Sequence, residues 1–590
     1  MTTKSKHYLV FHLGPVQGFI AAARRTQDLW FGSWLLSELA RAAARELARL
    51  HGGQIEVLIF PAPERVQELE DSKFAAPNRV VALIEGDRNP REVAESVRAA
   101  VIRRLREIRN EAFNRVPGEF SRDRAEKQVD DLLEFYWASC ALGGEVGYSQ
   151  ARELAEALLE SRKKLRDFQP VSWGDSVPKS SLDGLRESVI PEEAYKILTP
   201  AERWEKYRVR GSERLCGVAL MKRWGALPDK GSFPSTSDMA VGPLLSRLER
   251  IAQGREEEYQ QKVSNLEDRL RELGVPEEEL RTGWNRPILG RLGGQLLFEE
   301  RMSDLFPEEP EKAQRAARTV RQFLDEVFGP GVRPIPYFAV LRADGDQMGE
   351  TISRLKSPQD HQELSRCLVQ FAHKAREIVE RDHGGATVYA GGDDLLTFLP
   401  LHQALECACT LRTAFGKALE SLHLSNPPTL SVGVVVAHHL DPLSDTLNLA
   451  RRTEQAAKSV PGKNALAVTV SKRSGDDRTV QGKWGELDER LIWFAHLHMT
   501  DQIPDRAAYQ LRELVVRLPE ERLPEAAKKE ALRILKRKEP ERGSSEVSRE
   551  VLRRLEGYLH AGVSVEQLAE ELIVAREFAA AKLQANPQAS

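Results

Sequence analysis

Short runs of consecutive apolar residues alternate along the chain with longer stretches whose apolar positions recur at helical spacing. The first run, Tyr8-Leu9-Val10-Phe11-His12-Leu13, reads as a buried strand that Gly14-Pro15 ends. The pattern then predicts a long helix over 19–50, strands over 55–60 and 79–84, and a helix through 97–108. That order suggests a small α+β domain with a split β-α-β sheet. Helical spacing continues over 119–165, with Trp137, Leu142 and Leu154 among the apolar positions. The texture changes over 170–243, which is rich in Ser, Gly, Pro and Trp and holds turn-dense pieces at 178–184 and 211–219. A charged stretch over 255–273 reads as a solvated helix, and 283–294 as a loop.

A second α+β unit follows Gly329-Pro330-Gly331. Its pattern predicts a strand over 337–341, a helix over 358–381, a hairpin over 387–399 and a helix over 401–422. A strand over 429–437, a helix over 441–459 and a strand over 465–470 complete it. The order β-α-ββ-α-β-α-β elaborates that of the first unit. Beyond about residue 490 the chain is helix-rich and basic in patches, as at Lys528, Lys529, Arg533, Lys536, Arg537 and Lys538. The expected fold class is therefore α+β multidomain. It comprises a first α+β domain with a helical extension over 1–165 and a largely helical middle domain over 166–330. A second α+β domain over 331–480 and a C-terminal helical domain over 481–590 complete it.

Composition narrows the class without naming a function. A chain of 590 residues exceeds a single core, and 41% hydrophobic with 30% charged residues is the balance of a soluble globular protein. No apolar run is long enough to cross a bilayer and no secretory signal opens the chain, so cytoplasmic residence is expected. A net charge of −3 gives no overall bias towards nucleic acid, though local basic faces remain open to it. The five cysteines lack any Cys-x-x-Cys spacing, which argues against a disulfide framework or a self-evident zinc site. Cys407 and Cys409 read as buried free thiols in an apolar helix.

The chemistry concentrates in the second unit. In Val388-Tyr389-Ala390-Gly391-Gly392-Asp393-Asp394-Leu395-Leu396 two apolar strands flank a Gly-Gly pair, the signature of a tight hairpin, with two carboxylates directly after the turn. Adjacent carboxylates repel, and a hard divalent cation with oxygen ligands relieves that repulsion. Asp344-Gly345-Asp346 ends the preceding buried strand, and a strand, helix and hairpin would bring Asp344 beside Asp393 and Asp394. The carbonyl of Gly345 is a further candidate ligand, and Asp346 is either a ligand or a turn cap. Lys458 falls near the end of a helix, where a cation is favoured by the helix dipole and can also meet a triphosphate.

These motifs, with Ser431-Val432-Gly433-Val434 and Gly462-Lys463-Asn464, resemble the palm of nucleotide cyclases carrying the GGDEF signature. The detail is closer to the large subunit of type III CRISPR effectors of the Cmr (III-B) kind. His12 through Ile20, Asp28 through Ser33, and Phe233-Pro234-Ser235-Thr236-Ser237 are similar to segments of that family. The resemblance implies two ferredoxin-like palms. It also implies a subunit that assembles with other Cmr subunits, guide CRISPR RNA and target RNA, and that converts ATP into cyclic oligoadenylates. Asp344, Gly345, Asp393 and Asp394 would hold Mg²⁺ or Mn²⁺, with the three aspartates catalytic. Gly391, Gly392 and Lys458 would contact the nucleotide, and the first palm would help to form the ATP pocket.

Two departures carry expectations of their own. The first palm strand starts at about His7, which leaves no room for the histidine-aspartate nuclease domain of many relatives, so no DNA cleavage from such a site is expected. Of the family's zinc-binding cysteines in the middle domain only Cys216 remains, so structural zinc is not expected. The alternative reading from another class is a mainly structural subunit that organises guide and target RNA around an inactive or weak palm.

Overall fold

A computed structural model of the chain describes residues 6–85, 88–143, 145–165, 176–225, 233–518, 523–536 and 547–589. The first sheet contains β1 (Lys6–Gly14), β2 (Leu58–Phe60), β3 (Arg79–Glu85) and β4 (Glu134–Leu142). Its order is β2-β3-β1-β4, and every neighbouring pair is antiparallel. The helices Thr26–Leu50, between β1 and β2, and Pro90–Asn114, between β3 and β4, complete a ferredoxin-like unit. Leu9, Phe11 and Leu13 of β1 pack into the core shared with those helices. Tyr8 and Val10 face Ala151, Ala155 and Leu159 of the Tyr148–Lys164 helix on the other side. Burial on both faces is why β1 reads as an unbroken apolar run.

A short hairpin, β5 (Arg281–Arg286) and β6 (Gly290–Leu292), lies in the middle of the chain. The second sheet begins with β7 (Tyr337–Gly345), β8 (Ala386–Gly391), β9 (Asp394–Pro400) and β10 (Leu430–His438). These strands repeat the first arrangement in the order β10-β7-β9-β8, with the helices Pro358–Glu377 and Ala404–Leu419 as connections. The Leu443–Ser459 helix then crosses to β11 (Ala465–Val470), parallel to β10, and β12 (Arg478–Lys483) closes that edge.

Several elements differ from the sequence expectation, each for a local reason. The helix expected over 19–50 is two helices, Gln17–Ala21 and Thr26–Leu50, because the carbonyls of Phe19 and Ala22 turn towards the buried ammonium of Lys222. Within 119–165, taken as helical throughout, residues 134–142 form β4. Trp137 pairs with Phe11 there, and ladder bonding along the whole of β1 overrides an apolar spacing that merely resembled a helix. The loop expected over 283–294 contains most of the β5–β6 hairpin. The strand expected over 55–60 shrinks to Leu58–Phe60. In β12, which had no apolar signature, Val480 is the one buried residue.

The two sheets share one continuous core, in which Leu9 and Phe11 belong to the same cluster as Phe338, Val388 and Phe398. Polar contacts fix the junction. Gln362 Nε2 donates to the carbonyls of Glu56 and Leu58 (2.8 and 2.9 Å), and Ala62 N donates to Ser365 Oγ (2.9 Å). The middle segment is tied to the first ferredoxin-like unit by Arg223, fully buried and paired with Asp28 (2.8 Å) and Glu213 (2.9 Å). Removing one partner of such a group leaves an uncompensated buried charge at a cost of about 3–5 kcal/mol. The segments around Asp183 and Cys216 lie together: Cys216 Sγ reaches Asp183 Oδ2 (3.7 Å) and also caps its helix by accepting from Ala219 N.

All five cysteines are free thiols, with Cys407 buried and Cys409 half-buried. Among the described residues no helix is long and apolar enough to cross a membrane. Of the basic C-terminal residues, Lys528 and Arg533 are paired with Glu525 and Glu530, and Lys529 and Lys536 are exposed. Arg537 and Lys538 lie outside the described residues.

Candidate active site

The site forms where β7 ends beside the β8–β9 turn. β7 is paired with both β9 and β10, so Asp344 arrives at the sheet end on its central strand. Gly391 pairs with Asp394 across the hairpin, leaving Gly392 and Asp393 as the two turn residues. Gly392 has φ +74° and Asp393 does not share it, which is the glycine-first pattern of a tight hairpin turn. The sequence reading had placed both acids after a Gly-Gly turn. In fact only one positive φ is needed, so Gly391 stays in the ladder and Asp393 occupies the tip itself.

Gly345 N donates to Asp393 O (3.1 Å), which locks the end of β7 to the turn. The approach is close enough that a Cβ on Gly345 would lie 2.8 Å from Asp393 Cβ. Glycine at this position is thus a steric requirement, apart from any role for its carbonyl. Gly391 and Gly392 have no neighbour closer than 3.6 Å to an added Cβ, so their outer surface is open to a ligand.

Burial pushes the Asp393 carboxyl up to about 7, with the charges of Asp344 and Asp394 adding to it. Burial likewise pushes Asp394 up to about 6, against the opposing pull of Arg342 and a hydrogen bond from Tyr389. The Tyr389 hydroxyl is raised well above its ordinary value by burial and by Asp394. Asp394 Oδ1 is buried with no hydrogen-bond partner.

Lys458 reaches the site from the Leu443–Ser459 helix, its Nζ 2.5 Å from Asp344 Oδ2 and 3.3 Å from Glu454 Oε1. Burial works against its charge, and the hydrogen bond to Asp344 with the nearby acids outweighs this, raising its pKa. The helix can come this close because Gly433 on β10 lies beneath it. A Cβ there would be 2.4 Å from Glu454 N.

Asp346, left open between ligand and turn cap, is resolved as a structural tie. It is buried and accepts from Thr429 Oγ1 (2.7 Å), Ser431 Oγ (2.9 Å) and Asn464 N (3.0 Å), pinning the end of β7 to the start of β10.

The sequence reading missed three members: Arg342, Tyr389 and Glu454. Arg342 Nη2 lies 3.8 Å from Asp394 Oδ2, and its Nε lies 3.4 Å from Glu454 Oε2. A lone arginine inside the apolar β7 run and an acid four residues before Lys458 were the available signals.

The donor set suits a hard divalent cation: clustered carboxylates, two with raised pKa and one oxygen buried without a partner. Among the described residues no group of three His, Cys, Asp or Glu side chains is already drawn together around a metal position. Lys458 holds Asp344 in the present arrangement.

Comparison with known proteins finds relatives of two segments of the chain. Residues 337–467 match the model described as Cas10/Cmr2, second palm domain, and residues 8–110 match CRISPR-associated protein Cmr2, N-terminal. A Cmr subunit Cmr2 of the CRISPR system of Pyrococcus furiosus is 26% identical over 562 residues, covering 80% of this chain. Two segments of the chain thus resemble Cas10/Cmr2 proteins. The chain spans 62% of the length of the Pyrococcus relative.

The fold is shared with type III-B Cmr-beta in its apo state (TM-score 0.59, 16% identity, covering 92% of this chain and 78% of that one). It is shared also with Cmr-beta bound to cognate target RNA (TM-score 0.62, 14% identity, covering 93% and 80%). The family resemblance read from the Gly391-Gly392-Asp393-Asp394 hairpin and the His12–Ile20 segment therefore holds. The second Cas10/Cmr2 palm model covers Asp344, Arg342, the hairpin, Glu454 and Lys458 together.

Proposed function

We propose that this chain is the large, cytoplasmic subunit of a type III-B CRISPR effector, and that its second palm joins ATP into cyclic oligoadenylates when target RNA pairs with the guide. The observation that carries the reading is the convergence of Asp344, Asp393 and Asp394 at one sheet end, locked by the Gly345–Asp393 backbone bond and faced by Lys458. The matches of residues 337–467 and 8–110 to Cas10/Cmr2 models support it, as does a structural neighbour bound to cognate target RNA.

In this reading Asp344, Asp393 and Asp394 hold Mg²⁺ or Mn²⁺, which when bound would stabilise charge developing at the transferred phosphoryl group. The open surface of Gly391 and Gly392 admits phosphate oxygens close to the backbone. With nucleotide bound, Lys458 leaves Asp344 and meets the phosphates from beside Glu454, and the first palm closes the nucleotide pocket. Other Cmr subunits, guide RNA, target RNA and ATP are the partners.

The assembled complex with magnesium or manganese, ATP and complementary target RNA should yield linked oligoadenylates and pyrophosphate, read by mass analysis. Asp393→Ala with Asp394→Ala should remove the product and leave RNA binding intact. Oligoadenylate at the parental rate from the double variant would sink the assignment. Absence of product from the parental complex, with RNA binding normal, would favour the structural-subunit alternative.

A further inference from the structure

We infer that Glu454 is a positioning residue, a shared counter-ion that draws Lys458 and Arg342 off the Asp344 and Asp394 carboxylates when those acids take up a divalent cation. This rests on the metal reading above and goes beyond it in assigning how the site is cleared.

Glu454 is buried, 5% exposed, on the helix that Gly433 admits against β10. Gly433 is the cross-strand partner of Arg342, so the same gap in the sheet surface brings Glu454 over Arg342. Its two carboxylate oxygens divide between the cations: Oε1 lies 3.3 Å from Lys458 Nζ, and Oε2 lies 3.4 Å from Arg342 Nε. Each cation has a site acid as its other neighbour, Asp344 at 2.5 Å for Lys458 and Asp394 at 3.8 Å for Arg342. The five groups form an alternating line, Asp344–Lys458–Glu454–Arg342–Asp394.

A divalent cation arriving at the aspartates meets two positive side chains already there. Like charges a few ångströms apart in a partly buried setting repel strongly, so the side chains must be displaced or the metal excluded. Displaced cations need a buried acceptor, because an unpaired charge in this setting is costly. Glu454 is that acceptor, and Arg342 Nε, buried with no hydrogen-bond partner, already presents an unused donor to it. The simpler role, an i,i+4 pair that steadies the helix, accounts for the Lys458 contact and leaves the Arg342 contact unexplained.

The test measures Mn²⁺ binding to the purified full chain by the electron paramagnetic resonance signal of free Mn²⁺, with thermal unfolding in EDTA as a separate readout. Glu454→Gln should weaken Mn²⁺ binding about tenfold while the EDTA melting curve stays cooperative. Arg342→Met should tighten it about threefold, and the double variant should lose much less than the single effects sum to, since the redirected arginine is gone.

If Glu454→Gln does not fold, Glu454→Asp gives the same readout and should weaken binding by a smaller factor. Mn²⁺ affinity unchanged within about twofold in the Glu454 variant, or additive effects in the double, would overturn the inference and leave the metal reading standing. A parent chain without Mn²⁺ binding sensitive to Asp393→Asn with Asp394→Asn would remove both.

Discussion

The two palms share a strand order and differ in what stands at corresponding places. β1 ends in Leu13-Gly14 where β7 ends in Asp344-Gly345. Residues 61–78 join β2 to β3 through a 3-10 turn at Val66–Glu70, whereas two residues join β8 to β9. After the fourth strand, the Tyr148–Lys164 helix lays Ala155 and Leu159 on the first sheet; its counterpart brings Glu454 and Lys458 to the second. The first unit thus sets Leu13 at the strand end where the second sets Asp344, and Glu156 on its own helix is taken up by Arg79 and Tyr8. A ferredoxin-like sheet offers a rigid end at which four elements meet, and chemistry depends on which side chains those elements deliver.

The sharpest break in the comparison is loss of the acids, and the Asp393→Ala with Asp394→Ala complex should lose product by on the order of a thousandfold or more. Exchanging the corresponding residues tests the converse. Leu13→Asp puts a carboxylate at a fully buried site, and denaturant unfolding should show a loss of more than about 3 kcal/mol. Gly433→Ala drives a Cβ into the backbone of Glu454, with no flexible side chain to yield, and should destabilise by about 2–3 kcal/mol. Gly345→Ala meets the Cβ of Asp393, which moves only with the turn backbone, and the Cγ of Met348. Stability should fall by about 2 kcal/mol, and activity should fall more because Asp393 is displaced.

A pH-dependent effect concerns a feature the two units share. Burial pushes His12 in the first and His402 in the second down to about 4. A folded-state value below the unfolded 6.5 means that the unfolded chain binds more protons between about pH 6.5 and 4, so stability is lost as pH falls through that window. His402→Gln should flatten that decline by about 2 kcal/mol, measured as the change in unfolding free energy between pH 7 and 4.5.

Local pattern was enough for the β7 strand, the hairpin and the helix bearing Lys458, because each is a buried apolar run or a strongly periodic stretch ended by Gly or Pro. It failed at β4 and β12. Long-range pairing with β1 overrode the apparent period of 134–142, and β12 exists because the edge of β11 was available, with little apolar signal of its own. At the site, Asp344, Asp393, Asp394 and Lys458 were legible as motif residues. The turn register, Asp346 as a tie, and the partnership of Arg342 and Glu454 were not.

By itself the sequence determined the family resemblance, the element order of the second unit and the identity of the acids, since these depend on residue type and spacing along the chain. The tertiary structure alone decided which charges face one another. Arg342 and Glu454 are 112 positions apart and meet only because a glycine on the neighbouring strand lets a helix settle onto the sheet. Contacts of that kind depend on close packing in three dimensions, which no local period encodes.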